Sequence, residues 1–247
     1  MRYFLQLSYN GAGFCGWQIQ PNGRTVQQEI ETALATVLRQ PTPIVGAGRT
    51  DAGVHARCMY AHFDAEKPIE NSDALLRSLN HMCGKQISFQ RLIPVETDAH
   101  ARFDAVERTY KYFLIDKKSP FFSELAWHSP YRLDFEAMNK AAEILLDTED
   151  FTSFAKLHTD VKTNVCNVTH AKWTRLGDAA WVFTITADRF LRNMVRAVVG
   201  TLVEVGRGKL SLEEFMDIIK QKDRCAAGVS MPAHALYLWD VKYPYVD

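Results

Sequence analysis

The sequence predicts an α+β fold built as two α/β halves, and three observations carry that prediction. The first 104 residues alternate between period-two and helical patterning in the order β-α-β-β-α-β, the order of a split βαβ, ferredoxin-like unit. A charged bridge, His100-Ala101-Arg102-Phe103-Asp104-Ala105, then interrupts the pattern. Beyond it the patterning restarts on a strongly aromatic strand, so the halves divide as 1–104 and 105–247. Finally, 247 residues at 47% hydrophobic content supply the core of one large domain or two small ones.

Taken in order, Tyr3 to Tyr9 alternates like a strand. Gly11-Ala12-Gly13-Phe14-Cys15-Gly16 fits G-x-G-x-x-G, but a dinucleotide site needs a helix to open on those glycines. Trp17 to Gly23 has turn chemistry instead, and the helix starts only at Thr25, which argues against a Rossmann unit. Thr25-Val26-Gln27-Gln28 is a capping box, and Val26, Ile30, Leu34 and Val37 give a helix to Leu38. Pro43-Ile44-Val45 and Cys58 to Phe63 read as strands on either side of a glycine-bounded loop. A helix fits Asp73 to Leu79, with Leu75, Leu76 and Leu79 apolar, and Gln86 to Leu92 is the next strand.

In the second half, Arg108 to Ile115 is an alternating strand that carries Tyr110 and Tyr112 on one face. Tyr112 reads as a cross-strand packing aromatic. Leu133 to Leu146 is helical, with Phe135, Met138, Ala142 and Leu145 on one stripe. Asp150 to Phe154 is a polar-aromatic loop. Val165 to Arg175 and Trp181 to Thr186 are strands joined through the turn Leu176-Gly177-Asp178-Ala179. From Phe190 to Val203 the pattern is helical. Leu191, Met194, Val195, Val198 and Leu202 form a stripe, and Val199 and Val203 lie on the side of Arg196. Such a helix is apolar nearly all round and therefore buried. A buried Arg keeps its proton and calls for an anion beside it. Ser211-Leu212-Glu213-Glu214 is a second capping box opening a helix to Ile219, and Leu236 to Lys242 is the last strand.

Composition narrows the function classes. Lys+Arg and Asp+Glu are 29 each, so the chain is no bulk polycation, although a local basic groove suffices for phosphate contacts. Five cysteines, an odd number with no C-x-x-C, signal neither a disulfide framework nor a zinc site, and they read as buried thiols in a reducing cytosol. Eight histidines include no H-x-x-x-H pair, so no metal is expected. The first residues are too polar for a signal peptide, and no apolar run reaches membrane length. There is no repeat of fixed period.

The chemistry concentrates in Gly46-Ala47-Gly48-Arg49-Thr50-Asp51-Ala52-Gly53-Val54-His55-Ala56. Glycines on a tight connection between two strands let another backbone or a ligand come close, and a lone carboxylate there is a candidate nucleophile or base. Taken alone, an Asp-Ala-Gly is also a turn whose Asp bonds its own backbone. His55 beside it either contacts a ligand or stabilises the turn.

Ala47 to His55 resembles the catalytic motif of the tRNA pseudouridine synthase A family. Four further segments resemble that family: Tyr9-x-Gly11 with Gly16-Trp17-Gln18, Arg108-x-Tyr110, Asp150 to Phe154, and Phe190-Leu191-Arg192-Asn193-Met194-Val195-Arg196. Together they run over nearly the whole chain. Two positions depart from the family pattern: Asn10, where an Asp is usual, and Ala235, where a Gly is common.

The resemblance implies that both halves are ferredoxin-like (RRM-like) and share one long, mostly antiparallel sheet, with helices on one side and the active-site cleft between the halves. It implies Asp51 as nucleophile, Arg196 as its ion-pair partner, and Tyr110 as the contact to the target uracil. Arg49, His55, Arg102 and Arg192 are the further residues expected against the RNA. The substrate implied is a uridine at position 38, 39 or 40 of the tRNA anticodon stem-loop, isomerised without cofactor or metal by a cytoplasmic homodimer. Two rival classes stand beside this. Split βαβ halves with aromatic strands also describe non-catalytic tRNA-binding modules or RNA chaperones, but no RNP1 signature occurs. A small-molecule lyase or hydrolase could also use Asp51; a positive groove would argue against it.

Overall fold

The computed structural model describes residues 1–21, 23–156 and 163–246; Asn22, in the expected Trp17–Gly23 loop, lies outside them. The fold is α+β, and the chain forms two compact units, Met1–Val106 with Tyr237–Asp247, and Glu107–Leu236.

The first unit contains β1 (Arg2–Tyr9), α1 (Val26–Leu38), β2 (Val45–Gly46), β3 (His55–Asp64), α2 (Ser72–Met82) and β4 (Ile87–Val95). Strand β1 lies between β3 and β4, antiparallel to both, and β2 pairs antiparallel with β3, the neighbour relations of a split βαβ unit. Strand β2 is only two residues long and covers Ala61 and His62. At the other end of the same edge, His55 and Ala56 pair in parallel with Tyr237 and Leu238 of the last strand, β9 (Leu236–Lys242). The first unit is therefore completed by a strand drawn from the far end of the sequence, which a linear cut at residue 104 assigns to the other half.

Local chemistry explains the helices. Thr25 caps α1 by accepting the Gln28 N–H at 3.4 Å, and Val26, Ile30 and Leu34 are buried along its core face. Helix α2 runs three residues past its expected end at Leu79. Asn80 accounts for the extension: its amide donates to the Phe89 carbonyl and accepts the Phe89 N–H, tying the last turn of α2 to β4.

The second unit contains β5 (Glu107–Ile115), β6 (Trp127–His128), α3 (Phe135–Ile144), β7 (Val168–Leu176), β8 (Ala180–Ala187), α4 (Met194–Gly206) and α5 (Leu212–Gln221). Strand β8 lies between β5 and β7, antiparallel to both, and β6 is a short parallel addition to β5. Gly177 turns the β7–β8 hairpin at φ 63°. Asp134 caps α3 by accepting two backbone N–H groups, and Ser211 and Glu214 form the full capping box of α5. Trp173, Phe183, Phe154 and Phe215 are buried in the core of this unit.

Helix α4 is buried almost throughout, as its pattern predicted. It opens at Met194, however, and not at Phe190. Asn193 stands at φ 66°, a left-handed conformation that breaks the helix and leaves Phe190, Leu191 and Arg192 ahead of it.

Candidate active site

In the first unit, the loop from β2 to β3 holds Asp51 half-buried, directly after exposed Arg49 and buried Thr50. The end of β1 and the segment after it bracket this loop on both sides of Asp51. On the near side, the Tyr9 hydroxyl and Thr50 Oγ1 share a hydrogen bond of 2.8 Å, and the Trp17 N–H donates to the Thr50 carbonyl at 3.2 Å. On the far side, the Gly53 N–H donates to the Phe14 carbonyl at 3.3 Å, and Val54 N–H closes a turn onto the Asp51 carbonyl at 3.1 Å. Gly16 stands at φ 91°, and a Cβ there would sit 2.6 Å from the Thr50 carbonyl oxygen. Only glycine permits both the backbone angle and the approach. The segment that formally matches a dinucleotide fingerprint thus serves to pin the Asp51 loop.

His55 is 1% exposed. Its Nδ1 accepts the Gly11 N–H at 3.1 Å, and its ring stacks on Tyr237 at 4.5 Å. A ring so enclosed meets no RNA without moving, so of the two readings open for His55 the structure gives geometry to the turn-stabilising one. Asn10 caps the short helical turn Gly11–Gly13 by accepting the Ala12 N–H at 3.0 Å. A carboxylate oxygen would accept the same bond, so this departure from the family pattern preserves the cap. Ala235 is fully buried in the turn entering β9 and has no positive φ, so its backbone does not require glycine.

In the second unit, Tyr110 and Tyr112 differ as their chemistry requires. Tyr112 is fully buried opposite Phe183, and its hydroxyl donates to the Pro232 carbonyl at 3.2 Å. Burial pushes its hydroxyl far above the usual phenol range. Tyr110 is half-exposed, braced edge-on by Phe190 at 5.0 Å and 84°. One tyrosine fills the core while the other keeps part of its ring accessible.

Arg196 lies in the first turn of α4 and is half-buried, less enclosed than its apolar surroundings in sequence implied. Its Nε donates to the Met231 carbonyl at 2.6 Å, and its own carbonyl accepts the Met231 N–H at 3.1 Å. The role of Met231 is invisible in sequence, because a main-chain acceptor carries no residue signature. Arg192 is exposed, just before the helix. Arg102 is exposed in a turn where His100 Nδ1 accepts the N–H groups of Arg102 and Phe103.

Among the described residues, no group of three or more His, Cys, Asp or Glu side chains could hold a metal. Cys58, Cys83 and Cys166 are buried, and burial pushes the Cys83 thiol up to about 11 and that of Cys166 to about 12. Cys15 and Cys225 are exposed, contrary to the expectation of buried thiols throughout. No described helix is long and apolar enough to cross a membrane.

A family profile described as tRNA pseudouridine synthase matches residues 7–104 and 141–244. Three relatives named tRNA pseudouridine synthase A align along nearly all of the chain. The Parabacteroides distasonis protein is 62% identical over 243 residues, covering 98% of this chain and 96% of that one. The Porphyromonas gingivalis protein is 55% identical, covering 98% and 97%. The Bacillus subtilis protein is 40% identical, covering 98% and 99%.

Proposed function

The chain belongs to the tRNA pseudouridine synthase family, and we propose that Asp51 is the nucleophile with which it isomerises uridines 38, 39 and 40 of the tRNA anticodon stem-loop. The observation that carries this reading is the double bracket around Asp51, which fixes the backbone on both sides of a half-buried carboxylate. Preorganisation of this kind is what a nucleophile at a crowded sugar-base junction requires.

In the reaction, the N1–C1′ glycosidic bond breaks, the uracil turns over, and a C5–C1′ bond forms. The C5 proton leaves and N1 gains one, so nothing is oxidised or hydrolysed. The target base must leave the stack first, which costs a few kcal/mol. Asp51 attacks either C6 of the uracil or C1′ of the ribose. Tyr110, with its accessible ring, packs on the extruded base. Arg196 is the proposed cation for the Asp51 carboxylate; its Nε bond to Met231 supports the reading by directing the guanidinium. Exposed Arg49, Arg102 and Arg192 are the proposed contacts to tRNA phosphates. A cytoplasmic homodimer with tRNA lying across both subunits completes the proposal.

A non-catalytic tRNA-binding module has no use for a carboxylate held this way, and the relatives are named as synthases. The deciding experiment incubates the purified protein, without additives, with tRNA carrying tritium at C5 of uridine. Release of tritium to solvent is expected. Binding of tRNA without release would return the protein to the binding-module class.

A further inference from the structure

The segment from Asp223 to Met231, between α5 and β9, lies along one face of α4. Its last four residues, Gly228 to Met231, touch the N-cap and the first two turns of that helix. Ser230 Oγ accepts from the Asn193 amide at 2.6 Å. The Met231 carbonyl accepts from Arg196 Nε, and the Met231 N–H returns a bond to the Arg196 carbonyl. Thr201 Oγ1 accepts the Gly228 N–H at 3.0 Å. At Gly200 the strap comes closer than any side chain allows: a Cβ there would fall 1.8 Å from the Val229 carbonyl oxygen. Within α4, Arg196 and Gly200 are four residues apart and Thr201 follows directly, so the strap meets a polar and small patch on a mostly apolar helix.

The strap has its own internal staple. Arg224 is half-buried; its Nη1 donates to the Gly228 carbonyl at 3.1 Å and to that of Ala227 at 3.4 Å, and its Nη2 donates to Ser230 Oγ at 2.8 Å. One guanidinium thus fixes three successive parts of the segment that ends in the Met231 carbonyl. The planar fork suits this task, and an ammonium does not.

We propose that Arg224 is a positioning residue of the isomerisation: by curling the strap, it fixes the Met231 carbonyl that aims the Arg196 guanidinium. This rests on the reading that Arg196 acts on the carboxylate of Asp51. Arg224 itself acts at second hand, through main-chain geometry. A misplacement on the order of 1 Å in such a group can cost about 100-fold in rate.

The test is a cycle of variants measured by single-turnover kinetics on tRNA. Arg224→Ala should lower the rate of the chemical step on the order of 10-fold or more, with half-saturation for tRNA within about 2-fold of wild type. Arg224→Lys should recover only part of the loss. In an Arg196→Lys background, where the aim is already lost but activity remains measurable, Arg224→Ala should cost little more. Ser230→Ala, a milder change to the same staple, should show the same pattern weakly if Arg224→Ala folds poorly. A wild-type chemical rate in Arg224→Ala overturns the proposal. So do losses that multiply independently of the Arg196 change, which would mark the strap as scaffolding alone. If Arg196→Lys itself reacts at the wild-type rate, the assignment of Arg196 falls and takes this proposal with it, an outcome distinct from either of the others.

Discussion

At the scale of single residues, the Asp51 loop stood out through its glycines and its Arg-Thr-Asp core, while the reading of Asp51 as nucleophile came from the resemblance. What sequence could not convey is how the loop on either side of Asp51 is held, since the bonds to Thr50 and Gly53 come from Tyr9, Phe14 and Trp17, far away in the chain. Asp51→Ala and Asp51→Asn should abolish turnover while tRNA affinity stays within a few-fold, because phosphate contacts dominate binding. Turnover in either variant above about 1% of wild type would remove Asp51 from the role of nucleophile. Tyr110 offers a sharper division. Tyr110→Ala removes the ring and should weaken binding of the target nucleotide by about 1–3 kcal/mol, the usual worth of a stacked base. Tyr110→Phe keeps the ring; normal binding with slow turnover would assign the hydroxyl to proton transfer, and wild-type behaviour of both variants would leave Tyr110 a packing residue. His62 gives a prediction in pH. It is 6% exposed, its Nδ1 accepts the Ala101 N–H at 3.1 Å, and burial, with Arg2 and His100 nearby, holds it down at about 4. An unfolded His titrates near about 6.5. Between these values the unfolded chain binds a proton that the folded one refuses, so the contribution of His62 to stability should fall as pH drops from about 6.5 to about 4 and level off below. His62→Asn keeps an acceptor and removes the titration. Denaturation midpoints should then depend on pH less steeply than in wild type, and an equal slope in both proteins would refute the assignment.

At the scale of elements, periodicity located the helices and most of the strands, and it erred where one residue overrode the pattern. Helix α4 starts late because Asn193 is left-handed, a choice that an apolar stripe cannot reveal. The two-residue β2 and β6 were difficult for a similar reason: so short a strand has no period. The strap went unread although its signal was present, in a glycine inside a helix at Gly200. By intrinsic propensity, Gly200→Ala should stabilise α4 by about 1 kcal/mol. Against that, the new Cβ meets the Val229 carbonyl at 1.8 Å, and overpacking of this kind costs about 1–3 kcal/mol. The second effect should win, giving a lower melting temperature together with a slower chemical step as the strap lifts. A variant more stable than wild type would show that the strap yields easily and holds nothing in place.

At the scale of the whole molecule, the even charge balance concealed an RNA-modifying function that bulk composition alone would have weighed against. Exposed arginines at 49, 102 and 192 are where a tRNA contact would be felt. Affinity for tRNA should therefore drop steeply with added salt through counterion release, while turnover should survive exhaustive dialysis against EDTA. Activity lost together with about one metal per chain would contradict the second expectation. The division of the chain was legible only in part. A charged bridge announces a boundary, but nothing in the residues of β9 announces which edge they will join. That edge matters for how the protein comes into being. Residues 107–236 are translated between β3 and β9, yet β9 supplies Tyr237, on which the His55 ring at the exit of the Asp51 loop is stacked. During synthesis, the first unit emerges early and stays open along that edge until its closing strand leaves the ribosome. A nascent chain halted before Tyr237 thus lacks the ring on which His55 stacks, and β3 gains its parallel neighbour at His55 and Ala56 only when β9 follows the second unit.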